Sequence, residues 1–87
     1  MTGTDLRVTV RFYAAARAAA GVESEVLTLA TGSTIADAVA QLRCRSAELD
    51  RVLRKCSYLC DGIAVRDVYT ELRPHQSLDV LPPFAGG

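Results

Sequence analysis

Apolar side chains at every second position near the start of the chain constrain the fold more than any other feature of the sequence. The pattern consists of Leu6, Val8, Val10 and Phe12, separated by Arg, Thr and Arg residues. Successive side chains of a β-strand point to opposite faces, so the pattern predicts a strand buried on one face. Because 87 residues suffice for one compact core, we expect a single domain.

The next segments predict two helices and a second strand. Residues 14–21 are mostly alanine and end in glycine, which favours a short helix with a left-handed end. Residues 25–29 alternate again, as in a strand. The main helix should begin at Thr34, whose hydroxyl can form a capping box with Asp37. Its apolar face is predicted to comprise Ile35, Ala38, Val39 and Leu42.

The second half of the chain predicts one more helix and a hairpin. Residues 46–55 repeat the helical spacing of apolar side chains, and Ser46 can cap the helix. Asp61 and Gly62 separate two apolar segments and form a dipeptide that tight hairpin turns prefer, since both central residues need positive φ. We therefore expect strands on both sides of this turn, with Val65 in the second.

A last strand follows a predicted loop at residues 72–77. It spans residues 78–81, with Leu78 and Val80 facing the core and Asp79 and Leu81 facing outward. These elements predict an α+β fold, with a mixed sheet of about four to five strands packed on one main helix.

Composition and charge argue against several classes of function. The ten basic and ten acidic residues give zero formal net charge, which does not favour long-range attraction to nucleic acid or an anionic membrane. The sequence contains neither an apolar run of membrane-spanning length nor a secretory signal pattern. We therefore expect a cytoplasmic protein.

The cysteines do not form a metal-binding or disulfide pattern. Cys44, Cys56 and Cys60 are odd in number and lack a CxxC pair, and the one histidine, His75, lies in the predicted loop. We expect free, mostly buried thiols and assign no role to these four residues. No bound metal or cofactor is predicted.

The end of the sequence carries the strongest functional signal. Pro82 and Pro83 have no backbone N–H, so they should end the last strand. We predict a single domain over residues 1–81 and a flexible tail at residues 82–87. Gly86 and Gly87 have no side chains and can enter a narrow slot in another protein, although glycine-ended chains often simply fray. A free carboxylate at Gly87 must be activated, for example by adenylation, before a nucleophile attacks it; this implies ATP used by a partner enzyme.

The sequence resembles the MoaD/ThiS-like family of small, sulfur-carrying subunits of molybdopterin synthase, which belongs to the ubiquitin-like β-grasp superfamily. The resemblance covers nearly the whole chain, and the ending Pro-Pro-x-x-Gly-Gly is its most specific element. The matching segments are residues 10–21 with Arg17, Thr34 and Ile35, residues 60–62, and residues 81–87.

The resemblance implies a β-grasp fold and a carrier that catalyses nothing alone. An E1-like enzyme would adenylate Gly87, and a sulfur donor would convert it to a thiocarboxylate. The carrier would then dock on the large catalytic subunit, in an expected heterotetramer, and donate sulfur to cyclic pyranopterin monophosphate during molybdenum cofactor biosynthesis. The alternatives are a carrier for thiamin, cysteine or tRNA thiolation, a ubiquitin-like protein modifier, and an interaction domain whose glycines have no function.

Several residues near the tail are predicted to bind partners. Outward-facing apolar side chains beside a functional tail suit a docking surface, and the resemblance adds an arginine that could pair with an acidic group. The predicted partner-binding residues are Tyr13, Arg17, Leu81, Pro82, Pro83 and Phe84, while Gly86 and Gly87 are the predicted reactive end.

Two positions depart from the family pattern. Residues 74–77 replace the Asp-Gly-Asp-type turn that often precedes the last strand, and Asp61 replaces an asparagine in the hairpin turn. Because of the first change, the sequence does not predict the conformation of this loop. The second still suits the turn.

Overall fold

The structure, a computed structural model, describes residues 5–83. Five strands and three helices make up this part of the chain. In chain order they are β1 (Asp5–Phe12), α1 (Ala14–Ala20), β2 (Ser24–Ala30), α2 (Ile35–Arg43), α3 (Ala47–Leu53), β3 (Ser57–Cys60), β4 (Ile63–Ala64) and β5 (Ser77–Leu81).

The five strands form one mixed sheet in the order β2-β1-β5-β3-β4. β1 pairs with β5 in parallel, and the other neighbouring strands pair antiparallel. The predicted α+β architecture is therefore confirmed. The last strand lies in the middle of the sheet, so the tail begins at the centre of the fold rather than at an edge.

The core lies between the helices and one face of the sheet. Side chains of β1 at positions 6, 8, 10 and 12 are all buried, as the alternation predicts, and so are Leu78 and Val80 of β5. From the helices, the largest contributions come from Ile35, Leu42, Leu49 and Leu53. Helices α1, α2 and α3 all pack on this buried face, and we call the opposite face of the sheet the open face.

Local signals in the sequence account for the ends of the helices. The Asp37 amide donates to Thr34 Oγ1 at 3.2 Å, and the Thr34 amide donates to Asp37 Oδ2 at 2.8 Å, which completes the predicted capping box. Ser46 caps α3 by accepting from the Leu49 amide at 3.1 Å. Gly21 ends α1 with φ of 81°, a conformation that glycine adopts without strain.

The hairpin turn has the predicted geometry. Asp61 and Gly62 have φ of 51° and 83°, as a tight turn between right-twisted strands requires. β4 is shorter than predicted, since it ends at Ala64 and Val65 lies beyond it. The Val65 amide still donates to the Tyr58 carbonyl.

The prediction of mostly buried cysteines is wrong. Cys44 is exposed because it occupies the C-terminal cap of α2, where the chain leaves the core. Cys56 lies beyond the end of α3 rather than on its apolar face, and both Cys56 and Cys60 are only half-buried.

Residues 5–83 contain neither a membrane-spanning helix nor a metal-binding cluster of side chains. None of the helices there has the length and apolar character that crossing a membrane requires. The same residues contain no group of three or more His, Cys, Asp or Glu side chains placed to hold a metal ion.

Candidate functional site

The base of the tail lies at the end of β5, beside the start of α1. The Tyr13 amide, which precedes α1, donates to the Val80 carbonyl at 3.3 Å, and Leu81 is the last residue of the ladder. Pro82 is half-buried and Pro83 is exposed. Since neither proline can donate a backbone hydrogen bond, the sheet ends here. Pro82 and Pro83 therefore lie just beyond the sheet, beside α1 and α3.

The predicted partner-binding residues divide into three groups. Tyr13, Leu81, Pro82 and Pro83 lie together, because the parallel register that pairs Phe12 with Val80 brings the next two residues side by side. Tyr13 is 41% exposed, whereas Leu81 is half-buried. Arg17 is one helical turn further along α1. Phe84, Gly86 and Gly87 lie outside the described residues.

Arg17 already has a partner within the chain. Its guanidinium lies 3.5 Å from the Glu23 carboxylate, and both side chains are largely exposed. Exposed ion pairs of this kind contribute little to stability, at most about 1 kcal/mol. An acidic group on another protein would therefore have to compete with Glu23 for Arg17.

The open face beside the tail combines an ion pair with apolar side chains. Arg11 Nε donates to Asp79 Oδ1 at 3.0 Å across the parallel strands, so the outward-facing Asp79 is largely covered. Leu59 pairs with Asp79 in the register, and Ala64 pairs with Leu59. Leu81 lies on the same face, two residues beyond Asp79.

Leu59 is a candidate docking residue that the sequence analysis missed. It lies diagonally across from Leu81 on the open face, within the range over which cross-strand side chains interact. Its neighbours Tyr58 and Cys60 pack against the core, so Leu59 points to the opposite face. Because all three residues are apolar, no alternation of apolar and polar residues marks Leu59 as outward-facing in the sequence.

A groove adjoins the tail on the helical side. It has a volume of about 350 Å³ and lies between α1 and α3. Ala15 of α1 and Val52 of α3 contribute apolar surface, and Pro82 and Pro83 form another part of the wall. Its basic lining residues are Arg51 and Lys55.

The loop that departs from the family pattern is tied to the hairpin by Asp61. Asp61 Oδ1 accepts from the Ser77 amide at 2.8 Å, and Oδ2 accepts from Gln76 Nε2 at 3.2 Å. The His75 amide donates to the Arg7 carbonyl at 2.8 Å, and His75 has φ of 68°. The loop that replaces the family's turn therefore has defined backbone contacts, and Asp61 fixes this loop and the start of β5 to the hairpin.

Replacing Asp61 with alanine is expected to lower the free energy of unfolding by about 1–3 kcal/mol, because two hydrogen bonds to a carboxylate are lost and alanine disfavours positive φ. Asp61→Asn retains one acceptor and tolerates this conformation, so it should lose less. Urea unfolding of both variants measures the difference. Equal stability of Asp61→Ala and the unmodified protein would contradict the role given to Asp61.

The half-buried thiols are poor nucleophiles at neutral pH. Burial raises the pKa of the Cys56 thiol, which donates to the Val52 carbonyl at 3.2 Å. Burial also raises the pKa of Cys60, and the charge of Asp61 adds to the effect. Since the thiolate is the reactive form, neither group is poised to relay sulfur.

Charged side chains around α3 pair with one another rather than forming one basic surface. Asp50 accepts hydrogen bonds from Arg43 and Arg54, which hold the pKa of its carboxyl below the usual range. Arg45 pairs with Glu25. These basic and acidic side chains therefore form a mixed-charge surface.

The sequence of this chain matches a known protein family. A model described as the ThiS family matches residues 10–87, which include β1 from Val10 onward, every later element and the whole tail. The chain belongs to the ThiS family. This ThiS-family chain is also 28% identical over 83 residues to the molybdopterin synthase sulfur carrier subunit of Chlamydomonas reinhardtii, covering 94% of this chain and 100% of the relative.

Solved structures share the fold of this ThiS-family chain. A putative molybdopterin converting factor subunit 1 from Pyrococcus furiosus has a TM-score of 0.82 at 22% identity, covering 90% of this chain and 98% of the other. Small archaeal modifier protein 1 from Methanosarcina acetivorans has a TM-score of 0.82 at 22% identity, covering 98% and 100%. The predicted ubiquitin-like β-grasp fold is thus confirmed.

A third similar structure is a protein–protein complex, formed by subunits 1 and 2 of the molybdopterin-converting factor from Helicobacter pylori. The matching chain has a TM-score of 0.69 at 21% identity, and the match covers 94% of this ThiS-family chain and 100% of the other.

Proposed function

We propose that this ThiS-family protein is the sulfur-carrier subunit of a molybdopterin synthase, with Gly87 as the carrier residue. The observation that carries the proposal is the match to a molybdopterin synthase sulfur carrier subunit over that relative's entire length. The Pro-Pro-x-x-Gly-Gly ending supports it, as does the position of the tail at the end of a central strand.

The proposed cycle begins with activation of the Gly87 carboxylate. One carboxylate oxygen attacks the α-phosphate of ATP in an E1-like partner, and pyrophosphate leaves. A sulfur donor then supplies sulfide at the acyl carbon, and AMP leaves with the oxygen. The product is a thiocarboxylate, whose sulfur is a better nucleophile than the carboxylate oxygen.

Delivery requires a large catalytic subunit. Gly86 and Gly87 would enter its active site, while Leu81, Leu59 and Tyr13 contact its surface at the base of the tail. The thiocarboxylate sulfur forms a C–S bond to cyclic pyranopterin monophosphate in place of a C–O bond, and water then cleaves the acyl C–S bond, which restores the Gly87 carboxylate. Two such deliveries build the dithiolene of molybdopterin. The Helicobacter pylori complex of subunits 1 and 2 supports such an assembly.

We assign the carrier itself no catalytic group. The half-buried thiols have raised pKa values, so we place the acid–base chemistry on the partner enzymes. The fold serves to present the tail. This division of labour is typical of a carrier rather than an enzyme.

Protein modification is the second candidate function. It is favoured by the similarity to small archaeal modifier protein 1, with a TM-score of 0.82 over nearly the whole chain. Such a modifier would use the same adenylated Gly87, but a lysine amine would attack it in place of sulfide. The two functions therefore differ only after activation.

Mass spectrometry of the protein isolated from cells separates the two functions. A mass increase equal to the replacement of one oxygen atom by sulfur, located at Gly87, supports the carrier. Isopeptide adducts of the carboxyl end on lysines support the modifier. A terminus that stays unmodified under all growth conditions would rule out both.

Reconstitution then tests the pathway. The thiocarboxylated protein is mixed with the purified large subunit and cyclic pyranopterin monophosphate, and molybdopterin is measured by its fluorescent oxidation product. Formation of molybdopterin supports the proposal. A thiocarboxylate that forms but transfers no sulfur would assign the protein to another sulfur pathway.

A further inference from the structure

The groove between α1 and α3 lies on the helical side of the sheet, at the start of the tail. The proposed cycle gives it no role. Its lining consists of four apolar residues and two basic ones, which are Ala15, Val52, Pro82, Pro83, Arg51 and Lys55. Because two of these residues begin the tail, a partner that encloses the base of the tail also lies against the groove.

The backbone at the end of α3 fixes the two basic residues beside Val52. Arg51 is in the last turn of α3, and Lys55 follows the helix. The Lys55 amide donates to the Val52 carbonyl at 3.0 Å, which continues the turn beyond the helix. Residues three or four positions apart on a helix lie on the same face. Both cations therefore stand at the edge of the apolar surface that Val52 provides.

The cations of the groove have no acidic partner in the described part of the chain. Arg51 and Lys55 form no ion pair within residues 5–83, and both are exposed. Asp50 is already engaged by two arginines outside the groove. Glu48, one turn before Val52, forms no ion pair with either cation and does not line the groove. The groove therefore presents an uncompensated positive charge.

The end of α3 offers a simpler role for these cations. A basic residue near the C-terminus of a helix interacts favourably with the helix dipole, and Arg51 occupies such a position. That role concerns the stability of the helix alone and requires no apolar surface beside the charge. A test of the groove must therefore measure stability and affinity separately.

We infer that the groove binds a segment of the large catalytic subunit that carries an apolar side chain and a carboxylate. The apolar side chain would pack on Ala15 and Val52, and the carboxylate would pair with Arg51 or Lys55. The inference rests on the proposed function, because it takes the large subunit as the partner. That subunit would hold the base of the tail from two sides, at Leu81 on the open face and at the groove on the helical side.

The arrangement of the groove favours this kind of segment. Protein interfaces combine an apolar centre with a polar rim, and exclusion of water from the centre strengthens an ion pair at its edge. The positive charge of the groove attracts an acidic segment and repels a basic one, since like charges across an interface cost affinity. Complementary charge also accelerates association. The groove should therefore contribute to the rate of docking as well as to the choice of partner.

Removal of the two cations tests the charge. Association of the full-length carrier with the purified large subunit is measured by stopped-flow fluorescence. We expect Arg51→Gln/Lys55→Gln to slow association about tenfold at low ionic strength. The matched control Arg66→Gln/Arg73→Gln removes the same charge from two exposed arginines that do not line the groove, and it should slow association less than about twofold. At about 1 M salt, where the Debye length is about 3 Å, the two variants should behave alike.

A substitution in α1 tests the apolar surface. Ala15 is exposed and lies in the first turn of α1, where an acidic side chain suits the helix dipole, so Ala15→Glu should fold. The new side chain occupies the groove and repels an incoming carboxylate, so affinity for the large subunit should fall about tenfold or more. Ala40→Glu makes the same change at an exposed position of α2 that does not line the groove and should leave affinity unchanged.

Thermal unfolding of each variant separates the alternatives. A groove variant that loses stability but keeps its association rate and affinity would leave the cations only their role at the helix end, and would overturn the inference. Equal slowing by the groove pair and the control pair would also overturn it. Self-association of the free carrier that the groove variants abolish would assign the groove to a second copy of the chain instead. If the unmodified carrier did not bind the large subunit at all, the proposed function would itself be contradicted, and the inference with it.

Discussion

Deletion of Gly87 is expected to abolish sulfur transfer while leaving the stability of the protein unchanged. The deletion moves the reacting carboxyl group back by one residue, about 3.3–3.8 Å. Because a misplacement of about 1 Å can cost about 100-fold in rate, a loss of more than about 100-fold is expected. Molybdopterin formation with the purified large subunit measures the loss.

The fold provides the internal control for this deletion. The ladder ends at Leu81, and every residue of the described core precedes Pro82. Thermal unfolding of the deletion variant should therefore match that of the unmodified protein. Adding a third glycine shifts the carboxylate in the opposite direction and should also prevent transfer. A deletion variant with full activity would show that Gly87 is not the carrier residue.

Two leucines of β5 should separate folding from docking. Leu78 is fully buried in the core, so Leu78→Ala is expected to lower the free energy of unfolding by about 2–5 kcal/mol. Leu81 lies on the open face and is half-buried, so Leu81→Ala should cost less, about 1 kcal/mol. Urea unfolding of the two variants measures the difference.

Binding should show the opposite order. We expect Leu81→Ala to weaken binding of the large subunit about tenfold or more, as truncation of a central apolar interface residue does. Leu78→Ala should leave affinity nearly unchanged under conditions where it is folded. Calorimetric titration measures both values. Unchanged affinity of Leu81→Ala would remove Leu81 from the proposed docking surface.

The elements that could be predicted are those set by neighbouring residues. The alternation in β1, the Thr34–Asp37 capping box and the Asp61–Gly62 turn each depend on side chains within a few positions of one another. Their energies are local, so a single sequence reveals them.

The features that could not be predicted depend on long-range packing. The position of β5 between β1 and β3 is set by the burial of Leu78 and Val80 against the helices. The contact of Asp61 with Ser77 follows from that register, and the groove follows from the packing of α1 on α3. No short motif encodes these contacts.

The same limit applies to the candidate site. The tail could be recognised because its prolines and glycines are contiguous, whereas Leu59 joins Leu81 only through strand pairing. The exposure of Cys44 was missed for a related reason, since it depends on where α2 ends relative to the core.

The parallel pairing of β1 with β5 has a consequence for synthesis on the ribosome. β1 is made first, but one of its edges lacks a partner until β5, the last strand before the tail, has been made. Contacts between residues so distant in sequence form late in folding. An incomplete chain would therefore lack both its central strand and its tail. Enzymes that recognise the tail would meet only chains whose translation has passed the end of the sheet.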